Sequence, residues 1–451
     1  CSLHSFIYSQ INSMANSSRA VDQVRAALRT RGGVATSSEL QGQLGLSQPT
    51  ISRALALLIA SGEVRCLGAA RARRYLLPRM VEGVGAEVPI MRVDGEGVVT
   101  PFGRMIALPG GRFWVEEADG PSQPHDGLPW FLNDMRPQGF MGLTFANAHP
   151  ELQLGANPRR WSDDDALKAL ATFGEDLPGN LIVGEQAFER FHGLASRASR
   201  VDSWHDYPVL AEAAMQGALS GSSAGGEQPK FCTVSGGRHV LVKFSPAGDL
   251  PVSQRLKDLL VCEHLALQTL KQAGRPAATT NIFAVGGRVF LESERFDRTA
   301  KGRIGMVSLE VYDSEYVGKI DNWAATANRM SESRLLTPED AAQLRFLEAF
   351  GLLIANTDRH YGNISLLLKD DDWFLSPTYD MLPMFYAPIN GELVEQDFAK
   401  RPLNPTAATL GEWEPAKALA MTFWETVATH SLVSASFRAI AAGNLKTLQV
   451  L

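Results

Sequence analysis

At 451 residues the chain exceeds what one ordinary core accommodates, so two or three folded units are expected. Its 45% apolar and 20% charged residues are those of a water-soluble globular protein, and no apolar run approaches the roughly 20 residues of a membrane span. The net charge of −6 is divided unevenly: residues 1–80 hold ten arginines, no lysine and three acids, a surplus of +7 that leaves −13 for the other 371 residues. Opposite charge in two parts of one chain points to two jobs.

Residues 1–13 lack the basic start and small-residue cleavage site of a secretory signal, and residues 1–18 are read as an extension outside the folded units. The four cysteines, Cys1, Cys66, Cys232 and Cys262, form no C-x-x-C pair, which argues against a disulfide framework or zinc site and for a cytoplasmic location. From Arg19 to Thr30, Val21, Val24, Ala27 and Leu28 recur at helical spacing, and Gly32-Gly33 ends the pattern. A second short helix starts at Ser37-Ser38-Glu39 and stops at Gly45. A third starts at Ser47, with Pro49 in its first turn and an apolar stripe of Ile51, Leu55, Leu58 and Ile59. Two helices across a tight glycine turn make a helix-turn-helix. Glu63-Val64-Arg65 and the Arg71–Leu77 run then read as the two strands of a wing.

In a winged helix-turn-helix, Gln48, Thr50, Ser52 and Arg53 lie on the first turns of the helix that reaches base edges, while Arg71, Arg73 and Arg74 suit phosphates. DNA is therefore the expected partner; winged helices also dock proteins, and the concentrated positive charge favours DNA. Residues 78–127 are rich in Gly and Pro with short strand-like pieces. Ser162 before Asp163-Asp164-Asp165 reads as a helix cap with acids favourable to the helix dipole.

The second job is carried further on. A small-residue stretch, Ser220 to Lys230, precedes a hairpin whose return strand, His239–Phe244, holds Lys243. Backbone N–H groups in such a loop can approach phosphates, and a lysine on the return strand can meet them. Glu263 follows twenty residues later on a helix, where it can hold that lysine by an ion pair. Glu294-Arg295-Phe296-Asp297-Arg298 alternates charge and reads as a surface salt-bridge patch, or as a loop ordering the site. A buried helix then delivers the chain to Asn356-Thr357-Asp358-Arg359-His360-Tyr361-Gly362-Asn363. Asp358 and Asn363 are five residues apart, and Asp380 comes seventeen residues later, after a hairpin over Asp370-Asp371-Asp372. Phosphoryl transfer needs an aspartate for the proton of the attacking hydroxyl, and an amide and a second carboxylate for magnesium. His360 reads as scaffold.

The Ser222-Ser223-Ala224-Gly225-Gly226-Glu227-Gln228-Pro229-Lys230 loop, the Val240–Phe244 strand, the Asn356–Asn363 run and Tyr379-Asp380 together resemble the HipA family of bacterial serine/threonine kinases. The resemblance covers about residues 128–440, and a winged helix ahead of it is like the YjjJ branch. It implies an α+β fold: an N-terminal winged helix-turn-helix (19–78), a connecting region (79–205) and a two-lobed, protein-kinase-like domain. The lobes would be a nucleotide-binding one (206–300) and a helical one with the catalytic loop (301–451). It further implies ATP and Mg2+ as cofactors, Asp358 as catalytic base, Asn363 and Asp380 as magnesium ligands, and Lys243 on ATP with Glu263 behind it. Gly225 and Gly226 would cover the phosphates, with autophosphorylation at Ser223 or its neighbour Ser222. Family targets include aminoacyl-tRNA synthetases and the usual partner is a separate antitoxin; a DNA-binding unit in cis leaves the need for one open. Two other readings of the same residues are a transcription regulator with a nucleotide-sensing domain and a metal-dependent nuclease using Asp358, Asn363 and Asp380.

Overall fold

The computed structural model describes residues 18–69, 72–194, 199–216 and 228–451. The first unit begins with helix α1 (18–30), followed by β1 (Val34–Ala35), α2 (Ser37–Leu44), α3 (Gln48–Ala60), β2 (Arg65–Leu67) and β3 (Arg74–Leu76). Thr36 starts α2 with a reciprocal capping box to Glu39, and Gly45, at φ 65°, ends it in the left-handed conformation that glycine adopts without strain. Val24, Leu28, Leu40, Ile51, Leu55 and Leu58 close one core. Ile59, expected in that stripe, is instead 39% exposed, because the buried face of α3 runs through Ile51, Ala54, Leu55 and Leu58. The three short strands pair antiparallel in the order β1-β3-β2. The first expected wing strand is displaced: Glu63 is drawn to Arg25 at 2.7 Å, and pairing starts only at Arg65.

The connecting region, expected to hold short strand-like pieces, contains a five-stranded antiparallel sheet. It comprises β4 (Glu87–Val93), β5 (Val99–Leu108), β6 (Arg112–Glu117), β7 (Ser122–Asp126) and, from beyond α4 (Gly139–Ala148) and α5 (Asp163–Phe173), β8 (Leu181–Val183), in the order β7-β6-β5-β4-β8. Helix α6 (Glu185–His192) closes it. Ser162 and Asp165 form a capping box at the start of α5, while Asp163 and Asp164 pair with Arg136 and Arg79.

A second five-stranded sheet, β12-β13-β11-β10-β9, follows, made of β9 (Arg200–Val201), β10 (Lys230–Ser235), β11 (Arg238–Phe244), β12 (Thr280–Val285) and β13 (Arg288–Glu294). Helix α7 (Tyr207–Met215) covers one face, and α8 (Pro251–Gln272) joins the strands to the helical part. The boundary expected at residue 205 needs correction, since β9 pairs in parallel with β10 and belongs to this sheet. The helical part contains β14 (Met306–Ser308), α9 (Leu309–Tyr316), α10 (Trp323–Glu332), α11 (Pro338–Leu353), the hairpin β15 (Ser365–Lys369) and β16 (Asp372–Leu375), α12 (Trp413–Thr429) and α13 (Ala435–Gln449). One large core runs through α8, α10, α11, α12 and α13, centred on Trp323, Phe350, Phe423, Trp424 and Phe437. Among the described residues no helix is long and apolar enough to cross a membrane.

The Glu294–Arg298 loop is not the surface patch that its charge pattern suggests. Arg295, Asp297 and Arg298 are buried, because Asp176 from the middle region and Arg303 close over them. Arg298 reaches Asp297 at 2.8 Å and Asp176 at 2.9 Å, and Arg295 reaches Asp297 at 2.9 Å.

Candidate active site

Three elements converge below the second sheet. Lys243 sits near the end of β11, and Glu263 faces it from the middle of α8; Nζ lies 2.7 and 2.8 Å from the two carboxylate oxygens, with both side chains buried. The same ammonium also binds Asp380 Oδ1, so one cation is divided between two acids. Asp380 holds φ at 52°, a left-handed conformation tolerated by aspartate better than by most residues and found where local structure over-determines it.

Two carboxylates on one lysine cannot both keep ordinary acidity. Burial pushes Glu263 well above the usual carboxylate range, with Lys243 opposing and Asp380 adding to the rise. Burial also works against ionisation at Asp380, but Lys243 and then Lys230 outweigh it and hold this carboxyl below its ordinary value. Burial disfavours charge on Lys243 as well, yet Asp380 and Glu263 raise it above its ordinary value.

Lys230 was missed in the sequence. It is 4% exposed and lies directly opposite Lys243 in the β10–β11 register. Burial lowers it to about 8, with Asp380 pulling the other way. The signal was available, because Lys230 and Lys243 are equidistant from the Gly236-Gly237 turn and a two-residue hairpin places such positions side by side.

The catalytic-loop candidate is held from below. Helix α11 ends at Leu353, and Ala355, at φ 62°, turns the chain so that Asn356 is fully buried, with its N–H donating to Gly351 O at 2.8 Å. The Asn356 side-chain oxygen accepts from Asp358 N at 2.9 Å, and Arg359 is tied to Glu348 at 3.1 Å. These contacts present the Asp358 carboxylate outward, 50% exposed. Asn363 Nδ2 donates to Asp358 O at 2.8 Å and approaches Oδ2 at 3.4 Å, which leaves the Asn363 carbonyl oxygen as its free acceptor. His360 Nδ1 accepts from Gly362 N at 3.0 Å while Nε2 lies 3.7 Å from Asp358 Oδ1, contacts that brace the turn.

Tyr379, also missed, links the two halves of the site. Its hydroxyl donates to Gly362 O at 3.1 Å and meets Ser365 Oγ at 2.7 Å, so the residue before Asp380 is fastened to the residue before Asn363. Burial raises its phenol above the ordinary value, which keeps the donated proton in place. Among the described residues no three His, Cys, Asp or Glu side chains form a metal-ready cluster. A divalent cation here would draw on an amide oxygen and carboxylates, and Asp380 already attracts a cation in Lys243.

The candidates for the other job lie on the N-terminal unit. Gln48, Ser52 and Arg53 are exposed on the first turns of α3 and Thr50 is half-buried, bonded to Ser47 at 2.9 Å; Arg53 Nε donates to Pro49 O at 3.2 Å. Arg73 is exposed. Arg74 is half-buried and lines a cleft against the middle sheet, so its placement with the outward phosphate contacts is corrected. Arg71, Ser222, Ser223, Gly225 and Gly226 lie outside the described residues, as does the extension up to residue 17.

Residues 84–192 match the family described as YjjJ-like toxin, middle domain, and residues 222–442 match the HipA-like C-terminal domain. Toxin YjjJ of Escherichia coli (strain K12) is 39% identical over 420 residues, covering 91% of this chain and 94% of the relative. Among solved structures, Shewanella oneidensis MR-1 HipA, in a complex with HipB and operator DNA, aligns with TM-score 0.47 at 14% identity over 80% of this chain and 96% of that one. The Helicobacter pylori proinflammatory kinase CtkA aligns with TM-score 0.35 at 13% identity, over 49% and 90% of the two chains. With its middle and C-terminal regions both matched and its relative aligned nearly end to end, the chain belongs to the YjjJ-like toxins of the HipA family.

Proposed function

We propose that the chain is a Mg-ATP-dependent serine/threonine protein kinase whose N-terminal unit is a winged helix that holds it on DNA. The observation that carries the reading is the convergence of Lys243, Glu263 and Asp380 beside the Asp358–Asn363 loop. Bound magnesium would offset negative charge on the transferred phosphoryl group, and the Asn363 carbonyl oxygen and the Asp380 carboxylate are the groups that would hold it. Lys243, aimed by Glu263, and Lys230 beside it supply positive charge for phosphates arriving from the loop that contains Gly225 and Gly226. Asp358, outward-facing and oriented by Asn356 and Asn363, accepts the proton of an incoming serine or threonine hydroxyl.

The units of this proposal are the winged helix at 19–78, the middle region, a nucleotide-binding lobe running to about residue 300 and starting at β9, and a helical catalytic lobe. Ser223 or Ser222 is the proposed autophosphorylation site. A translation component such as an aminoacyl-tRNA synthetase is the proposed substrate class, and the cytoplasm the proposed location. On the DNA side, exposed Gln48, Ser52 and Arg53 on α3 would meet base edges and Arg73 a phosphate.

Intact-mass spectrometry after incubation with Mg-ATP tests the catalytic half. A gain of about 80 Da per phosphate that disappears in Asp358→Ala is expected, the general base being worth roughly 10²–10⁴-fold in rate. No mass gain and no ATP binding by calorimetry in the wild type would end the reading and leave a regulator without catalysis. Arg53→Ala is expected to weaken duplex binding, read by fluorescence anisotropy.

A further inference from the structure

The turn at 358–363 is gripped by a single stretch of chain, α9 and the loop that follows it. Ser308 caps α9, its Oγ accepting from Val311 N at 3.2 Å, and the first turn of the helix carries Glu310. Gly362 leaves room for that side chain. A Cβ on Gly362 would stand 3.5 Å from Glu310 Oε2 and 2.9 Å from His360 Cε1, so an exposed carboxylate lies against the bend that bears His360.

Beyond α9 the chain doubles back through residues 317–322. Lys319 N donates to Asp313 Oδ2 at 3.2 Å, and Arg329 donates to Lys319 O at 2.8 Å. The Tyr361 hydroxyl accepts from Asp321 N at 2.7 Å, and Trp323, the first residue of α10, donates from Nε1 to His360 O at 3.1 Å. The backbone is therefore tied down on both sides of Ile320, and two of the ties end in the catalytic turn. Ile320 itself is 88% exposed. A lone apolar side chain on a surface needs no explanation, but one carried on a loop already ordered against the catalytic turn loses little freedom when a partner meets it. Outside residues 1–80 the chain carries −13, which favours the approach of a basic segment. We infer that Glu310 and Ile320 set the substrate class of this site: a protein segment in which a basic residue and an aliphatic residue flank the accepted serine or threonine. Glu310 would meet the basic residue and Ile320 the aliphatic one, and the inference rests on the kinase reading above.

The full chain is incubated with Mg-ATP and a degenerate peptide library built around one fixed serine, and the phosphorylated peptides are sequenced by mass spectrometry. Wild type is expected to enrich Arg or Lys at one flanking position and an aliphatic residue at another. Glu310→Gln is expected to cut the basic enrichment about threefold and spare the aliphatic one, since an exposed ion pair contributes modestly. Ile320→Asp is expected to cut the aliphatic enrichment about tenfold and spare the basic one, and Ile320→Leu to keep it. If circular dichroism shows either variant misfolded, Glu310→Ala and Ile320→Ser take their places. Phosphorylation with neither preference, or a preference unmoved in its variant, overturns the inference. So does a wild type that gains phosphate on itself and marks no peptide. A wild type that gains none and marks no peptide ends the kinase reading, and the inference falls with it.

Discussion

Where the middle region meets the second sheet, Asp176 and Asp297 are enclosed by Arg295, Arg298 and Arg303; in the candidate active site, Glu263 and Asp380 share Lys243, with Lys230 alongside. Both clusters are largely buried, with Asp176 and Asp380 partly exposed, and they are built differently. The first offers each carboxylate two or more planar guanidinium groups, whose forked donors match carboxylate geometry. Burial opposes ionisation of Asp297, but Arg295 and Arg298 hold it far below the usual carboxylate range. The second divides one ammonium between two acids, so one acid is displaced upward and the other downward. A saturated cluster can only hold two regions together. An under-saturated one can exchange a partner when phosphates or a metal arrive, and chemistry needs that.

The difference can be broken from either side. The largest effect is expected in the second cluster's neighbour: Asp358→Ala lowers phosphoryl transfer by roughly 10²–10⁴-fold while the thermal unfolding midpoint stays near wild type, since the side chain is half exposed. In the first cluster, Asp297→Asn leaves the buried Arg295 and Arg298 sharing Asp176 and costs roughly 3–5 kcal/mol of stability, measured by urea unfolding. An unfolding midpoint equal to wild type would show that the junction is not held by charge.

Smaller effects sharpen the contrast. Tyr379→Phe removes the bond to Gly362 O and is expected to cost on the order of 1 kcal/mol, read as a lower kcat at unchanged ATP affinity because Asp380 loses its tie to the Asn363 turn. Equal kcat in the variant would make the tie incidental. The pH dependence separates the clusters last. Glu263 is raised in the folded state, so its stabilising share is present below its ordinary value and is lost as pH rises through the raised one. The cost of Glu263→Gln should therefore shrink between pH 5 and pH 8. Asp297 is lowered, so its share is present above its ordinary value and fades only as pH falls through the lowered one. The cost of Asp297→Asn should stay flat over the same range, and parallel profiles for the two variants would refute the distinction.

Much of this was legible in the chain, for reasons particular to each element. The Ser162 cap was readable because it is local, with Ser162 and Asp165 within one turn, whereas the second helix, expected to start at Ser37, is capped one residue earlier by Thr36. Asp358, Asn363, Asp380, Lys243 and Glu263 could be nominated because their spacing carries chemistry. Lys230 was not, since its place depends on strand register; nor was Tyr379, whose partners Gly362 and Ser365 are fourteen or more residues away. The Glu294–Arg298 loop was misplaced at the surface for a related reason, as alternating charge looks the same whether water or Asp176 answers it.

The sequence by itself determined the helices of the N-terminal unit, the start of α5, the uneven charge and the chemical identity of the candidate catalytic groups, which depend on composition and on spacing along the chain. Only the tertiary structure decided that Arg74 faces a cleft, that Asp297 is buried and that Lys243 serves two acids. Those facts depend on which distant groups share a small volume at low dielectric, and the strength of a charge interaction is set by that surrounding volume.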